Sequence, residues 1–175
     1  MSKKNKEFHS LIRSDLEKNY LNWSITDKNY KLLLVRAYLI SSIFRQIYWI
    51  RKRYIKRTFY SRIRVKMLQE KNKIYIPNIK IGGGLQIVHP GPIYLSAREI
   101  GDNFRVYHLV TVGNNKGRGH PKIGNNVTCY AGSCVVGPIE IGDNCEIGAN
   151  AFVNHDLPPS SLVINECINK IKQNK

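Results

Sequence analysis

His89, His108 and His120 are the residues of this 175-residue chain whose type and spacing point to chemistry. An imidazole titrates near ~6.5, so at neutral pH it can take the proton of an attacking hydroxyl and later return it. His89 precedes a Pro-Gly-Pro run. His120 stands in a polar excursion, Asn114–Lys122, which also carries Arg118. Loops that leave a regular scaffold are where binding groups collect, so the three histidines and the excursion read as an acid–base site. Zinc is the competing use of three histidines, but no Cys or carboxylate stands at ligand spacing from them, and no metal is expected. His9 and His155 are not expected to be catalytic.

A short repeat positions these residues. From Tyr75 to Asp156 an aliphatic residue leads a six-residue unit at Ile81, Ile87 and Ile93. After one extra residue come Ile100, Val106 and Val112. Beyond the excursion come Ile123, Cys129, Val135, Ile141, Ile147 and Val153. Gly often follows the lead residue, as at Gly82, Gly101, Gly124 and Gly142, and the fifth position is small or apolar. This period predicts a mainly β chain folded as a parallel β-helix, one strand and one corner per unit and about three units per coil. His89 and His108 hold the same position in their units, one coil apart, so they are expected to stack.

Charge divides the chain. The net charge is +16, yet residues 1–74 hold 19 Lys/Arg against 5 Asp/Glu while residues 75–175 hold 9 against 7. The expected organisation is a basic α-helical segment over 1–74, the β-helix over 75–157 with its loop at 114–122, and a tail over 158–175. Residues 8–21 read as a first helix, and a second, capped by Thr26 or Asp27, runs from about Lys28 towards Met67 with breaks allowed for. On that second helix Leu32, Leu33, Leu39, Ile40, Ile43, Phe44, Ile47 and Ile50 share a face. Its longest apolar stretch is too short to span a bilayer. Residues 51–73 hold ten cations and one acid interleaved with aromatics. This run reads as a solvated packing face, or as a peripheral contact to anionic membrane through residues 32–73. Nucleic acid is not favoured, because no named nucleic-acid module is present.

Cys129, Cys134, Cys145 and Cys167 form no CxxC pair, and Cys129 and Cys145 fall at inward positions where Cys packs as a small apolar residue. The N-terminus lacks the apolar region of a secretory leader, so a cytoplasmic location is expected, with the sequons at Asn22 and Asn126 unused.

At Val110–Gly113, Gly119–Gly124 and the tract from Tyr130 to Pro159, the sequence resembles the hexapeptide-repeat acyltransferases, in the branch of the serine O-acetyltransferases. The resemblance covers about residues 74–160. It implies a left-handed β-helix, a homotrimer, and acetyl-CoA as co-substrate in a groove between subunits, with no metal. His89 takes the place of the family's catalytic base and His120 that of its second histidine. Ala131, Gly132, Gly148 and Ala149 match the coils that line the CoA groove. His108 and Arg118 are assigned to the acceptor.

Departures from the family steer the choice of acceptor. The family's Asp before the catalytic histidine is Val88, a second Asp falls at Ile74, and the loop Arg that precedes the second histidine is Gly119. The C-terminal Gly-Val-Pro-Ala tract is also missing. With these contacts for free serine absent, the expectation is O-acetylation of a sugar hydroxyl in surface polysaccharide synthesis. Serine O-acetylation is the alternative and a non-catalytic scaffold the third reading. Glu99, Asp102 or a main-chain carbonyl is expected to orient His89.

Overall fold

Caps written into the sequence cut the N-terminal segment into four helices. The computed structural model describes residues 2–20 and 24–165; Cys167 and the tail beyond Asn165 lie outside them, as does Asn22. The first helix, α1, spans Lys3–Asn19. In place of one long second helix there are three: α2 (Tyr30–Ile40), α3 (Ser42–Lys56) and α4 (Phe59–Asn72). Ser41 makes the first break. Its backbone is extended, and its hydroxyl accepts from the Phe44 N–H at 3.1 Å, so it ends α2 and caps α3. Arg57 makes the second in the left-handed conformation (φ 51°), and Thr58 then caps α4 through the Ser61 N–H. The breaks split the expected apolar face. Phe44, Ile47 and Ile50 are buried, while Leu32, Leu39 and Ile40 are exposed. Among the described residues no helix is long and apolar enough to cross a membrane.

Residues 74–163 form a left-handed parallel β-helix of three sheets. Face A holds β1 (Ile74–Tyr75), β4 (Ile93–Leu95), β7 (Thr111–Gly113), β10 (Cys134–Val136) and β13 (Phe152–Val153). Face B holds β2 (Lys80–Ile81), β5 (Glu99–Ile100), β8 (Lys122–Ile123) and β11 (Glu140–Ile141). Face C holds β3 (Gln86–Ile87), β6 (Arg105–Val106), β9 (Thr128–Cys129), β12 (Glu146–Ile147) and β14 (Leu162–Val163). The final strand thus lies past residue 157, where the sequence reading ended the β-helix. Lead residues stack in register: Ile81, Ile100, Ile123 and Ile141 on one face, Ile87, Val106, Cys129 and Ile147 on another. At the corner between faces B and C, Leu85, Phe104, Val127 and Cys145 fill the interior with no exposure. Each such side chain contributes roughly 1.5–3 kcal/mol by leaving water. Asn103, Asn126 and Asn144 take the left-handed conformation at that corner (φ 57°, 54°, 59°), and their side chains bond one another at 3.0 Å from coil to coil.

The helices close the open end of the β-helix. The first coil has no strand before it to accept its backbone groups, and side chains supply the partners. Gln46 donates to the Ile74 carbonyl, Arg53 and Gln69 to that of Ile76, and Asn19 to that of Leu85. Arg51 donates to the carbonyls of Ile81 and Gly82. It also forms a two-bond pair with Asp15 (2.8 Å each), and Asp15 in turn accepts from the Leu85 N–H at 2.9 Å. Arg51 and Asp15 are both buried, at 2% and 0% exposure.

The repeat slips at one place. Leu95, not Ile93, stands level with Val112 and Val135. The corner after β3 is therefore two residues longer than its counterparts. The extra residues fall in the Pro90–Pro92 run beside His89.

Candidate functional site

His89 leaves the corner between faces C and A just after β3, and the corresponding corners below it carry His108, Ala131 and Ala149. The pairings Ile87–Val106, Val106–Cys129 and Cys129–Ile147 fix this alignment. His89 is exposed, with its ring 5.9 Å from that of His108 and 5.8 Å from that of Tyr107, both edge to face. The lengthened corner requires Gly91, whose φ is 154° and where a β-carbon would come within 3.0 Å of the His108 β-carbon. His108 is half-buried, and its Nδ1 is buried with no hydrogen-bond partner among the described residues. A backbone ladder continues down the corner, from Gly132 N–H to His108 O and from Asn150 N–H to Ala131 O. Gly132 (φ 72°) cannot carry a side chain, since a β-carbon there would meet Asn150 Oδ1 at 2.1 Å. The edge thus has two imidazoles at one end and the small residues Ala131, Gly132, Gly148 and Ala149 below them. That lining suits a narrow amide-bearing chain running along exposed backbone.

His120 lies elsewhere. The loop at 114–122 leaves between β7 and β8, at the corner between faces A and B, on the far side of face A from His89. Its Nδ1 is 3.0 Å from the Ser96 carbonyl oxygen. A carbonyl can only accept, so neutral His120 carries its proton on Nδ1 and presents Nε2 as a base. Arg118 is exposed in the same loop. One chain therefore brings together His89, His108 and the small residues, but not His120 or Arg118.

The residues expected to orient His89 are not beside it. Glu99 is on face B with Lys122 (3.1 Å) and Lys80 (3.3 Å), whose hydrogen bonds hold its carboxyl below the usual range. Asp102 turns the corner between faces B and C by accepting from the Gly83 N–H at 2.7 Å. Both are used up in holding coils together. Tyr107, which the sequence reading passed over, sits beside His89 instead, and Tyr130 packs on Tyr107 from the next coil: their rings lie 5.3 Å apart, and the Tyr130 hydroxyl donates to Glu146 at 2.9 Å, which raises its pKa. The signal was their shared second position in successive units. Among the described residues no three His, Cys, Asp or Glu side chains are grouped to hold a metal.

Residues 120–155 match the family "Bacterial transferase hexapeptide (six repeats)". A serine acetyltransferase of Helicobacter pylori is 46% identical over 92 residues, which are 50% of this chain and 54% of that protein. One from Mycobacterium tuberculosis is 40% identical over 92 residues, 50% of this chain and 40% of that one. The chain spans about half the length of these curated relatives. Among solved structures, serine acetyltransferase isoform 3 of Entamoeba histolytica in complex with cysteine superposes with a TM-score of 0.72 at 24% identity, covering 98% of this chain and 63% of that one. The Neisseria gonorrhoeae serine acetyltransferase in complex with serine gives 0.69 at 24%, covering 92% and 68%. At these identities the structures speak to the fold.

The comparisons correct the expected acceptor. The relatives matched are serine acetyltransferases, so the sugar hydroxyl and the link to polysaccharide synthesis give way to the serine alternative. The missing carboxylates at Ile74 and Val88 had argued the other way. Ile74 is wholly buried beneath the helices, and there it serves the core. In its repeats and its coiled fold the chain is similar to the hexapeptide-repeat transferases, and over about half its length to serine acetyltransferases.

Proposed function

We propose that the chain transfers an acetyl group from acetyl-CoA to the hydroxyl of L-serine. The observation that carries this is the exposed His89 imidazole set against His108 at the head of an edge lined by Gly and Ala, in a chain whose matched relatives are serine acetyltransferases. Acetyl-CoA, when bound along that edge by Ala131, Gly132, Gly148 and Ala149, supplies the activated acyl group. His89 takes the acceptor proton as the hydroxyl oxygen bonds to the acetyl carbon and the carbon–sulfur bond breaks. The imidazolium then returns that proton to sulfur, and CoA leaves as the thiol. His108, whose buried Nδ1 has no partner among the described residues, sets its ring edge to face against that of His89.

The separation of His89 from His120 supports a homotrimer as the working unit. In a three-fold assembly, one subunit's corner between faces C and A meets the next subunit's loop corner. His120 Nε2 and Arg118 then complete a site that each chain only half contains, Arg118 meeting the serine carboxylate. Exposed Tyr94, Leu109 and Phe152 lie on or beside face A and are suited to that contact.

Thiol release from acetyl-CoA by the purified protein tests the reading, with L-serine, serinol and no acceptor in parallel. The expected result is release that depends on serine and falls with serinol, which lacks the carboxylate. Equal rates with and without serine overturn it.

A further inference from the structure

The helices leave two apolar faces bare. On α2, Leu32, Val35 and Leu39 point outward together with Ile40, at 54–71% exposure; only Ala37 of this helix is fully buried. On α4, Phe59, Ile63 and Met67 recur every fourth residue at 77%, 42% and 57% exposure, while Ser61, Val65, Leu68 and Asn72 face the core. The exposed cations Arg62 and Lys66 interleave with that apolar row, and Lys28, Lys31 and Arg36 flank the one on α2. Tyr38 of α2, Arg45 of α3 and Arg64, Met67 and Lys71 of α4 line one shallow cavity.

We propose that these outward faces of α2 and α4 form a docking surface for an anionic lipid bilayer. An apolar row edged with Lys and Arg is the pattern of a helix lying in the headgroup region. α2 has 11 residues and is roughly 16 Å long at ~1.5 Å per residue. It can lie in an interface but cannot cross a hydrocarbon core of about 30 Å. Charge selects the occupant. Residues 24–74 hold 14 Lys/Arg against 2 Asp/Glu, so two copies meeting through this surface repel, whereas anionic headgroups neutralise it. The surface differs from the one a reading of the basic run implies. Arg51 is spent on Asp15, and Arg53 on the carbonyls of Ile76 and Pro77. The inference does not depend on the acyl-transfer reading.

The test is co-sedimentation of the full chain with vesicles of neutral lipid, or of the same lipid with about a third anionic, at low and high salt. The expected result is binding to anionic vesicles that weakens as salt shortens the Debye length from about 30 Å at 0.01 M to about 3 Å at 1 M. Arg62→Gln with Lys66→Gln removes two exposed cations and lowers the partition on the order of 30-fold, at about fivefold per cation. Leu39→Ser with Phe59→Ser weakens binding without lowering the melting temperature, since both side chains are exposed. Wild type that ignores anionic vesicles at low salt overturns the proposal, as does equal binding to neutral ones. So does a loss of oligomer mass by sedimentation velocity in either double variant, which assigns the surface to contact between copies.

Discussion

Asp15→Ala should detach the helical segment from the first coil. Asp15 accepts two bonds from Arg51 and one from the Leu85 N–H, in a site where both charged side chains are buried. Removing the carboxylate leaves a guanidinium without its counter-charge, a loss of about 3–5 kcal/mol for a buried pair. It also leaves the Leu85 N–H unpaired, a further ~1–3 kcal/mol in isolation. These losses overlap, because the collapsing site admits water to both, and about 4 kcal/mol is the working figure. A domain's whole stability is about 5–15 kcal/mol, and a chain of this size loses about 2–4 °C of melting temperature per kcal/mol. The expected drop is therefore about 8–16 °C, read by circular dichroism at fixed protein concentration because association shifts the midpoint. Arg51→Met should cost a similar amount. The double variant should cost at least about 1 kcal/mol less than the sum of the two, since the groups interact directly. A melting point within about 3 °C of wild type for Asp15→Ala, or strict additivity in the cycle, would refute the role given to this pair.

His89→Ala should lower kcat by about 10²–10⁴-fold in the thiol-release assay, the usual worth of general-base catalysis, while the melting temperature holds. Gly91→Ala should also slow turnover, because its β-carbon pushes into His108; rates equal to wild type would mean that the imidazole pair need not be kept in place. Mixing inactive His89→Ala and His120→Ala chains should restore about a quarter of wild-type activity if each site joins two subunits at random, and none if one chain makes its own site. Burial pushes the Cys129 thiol up to about 12, so at pH 8 it stays protonated, and iodoacetamide should leave it unmodified in the native protein but not in urea, as peptide mass spectrometry would show.

Much of this was legible in the six-residue period, because a β-helix repeats one environment and so repeats one residue type. The stacked Ile81, Ile100, Ile123 and Ile141, and the His89–His108 neighbourhood, follow from spacing alone. The slip after His89 did not. Ile93 and Leu95 both point inward two residues apart, so either can stand as a lead residue, and only strand pairing decides. Breaks in the second helix were allowed for, but their positions at Ser41 and Arg57 were not fixed, since Ser41, Ser42 and Thr58 are all residues that can cap. The placement of His120 on another corner needed the topology, because distance along the chain says nothing about which edge of a prism a loop leaves.

The alignment of His89, His108, Ala131 and Ala149 separates reactivity from reach. Each coil lengthens the edge by one strand spacing, about 4.8 Å, and leaves the corner above it unchanged. A coil inserted below Ala149 would extend the span available to a bound chain without moving either imidazole. A coil removed below Ala131 would shorten that span by the same increment. The edge is in effect a ruler with its zero at His89, and variants of different coil number can be made to measure how long an acyl donor it accommodates.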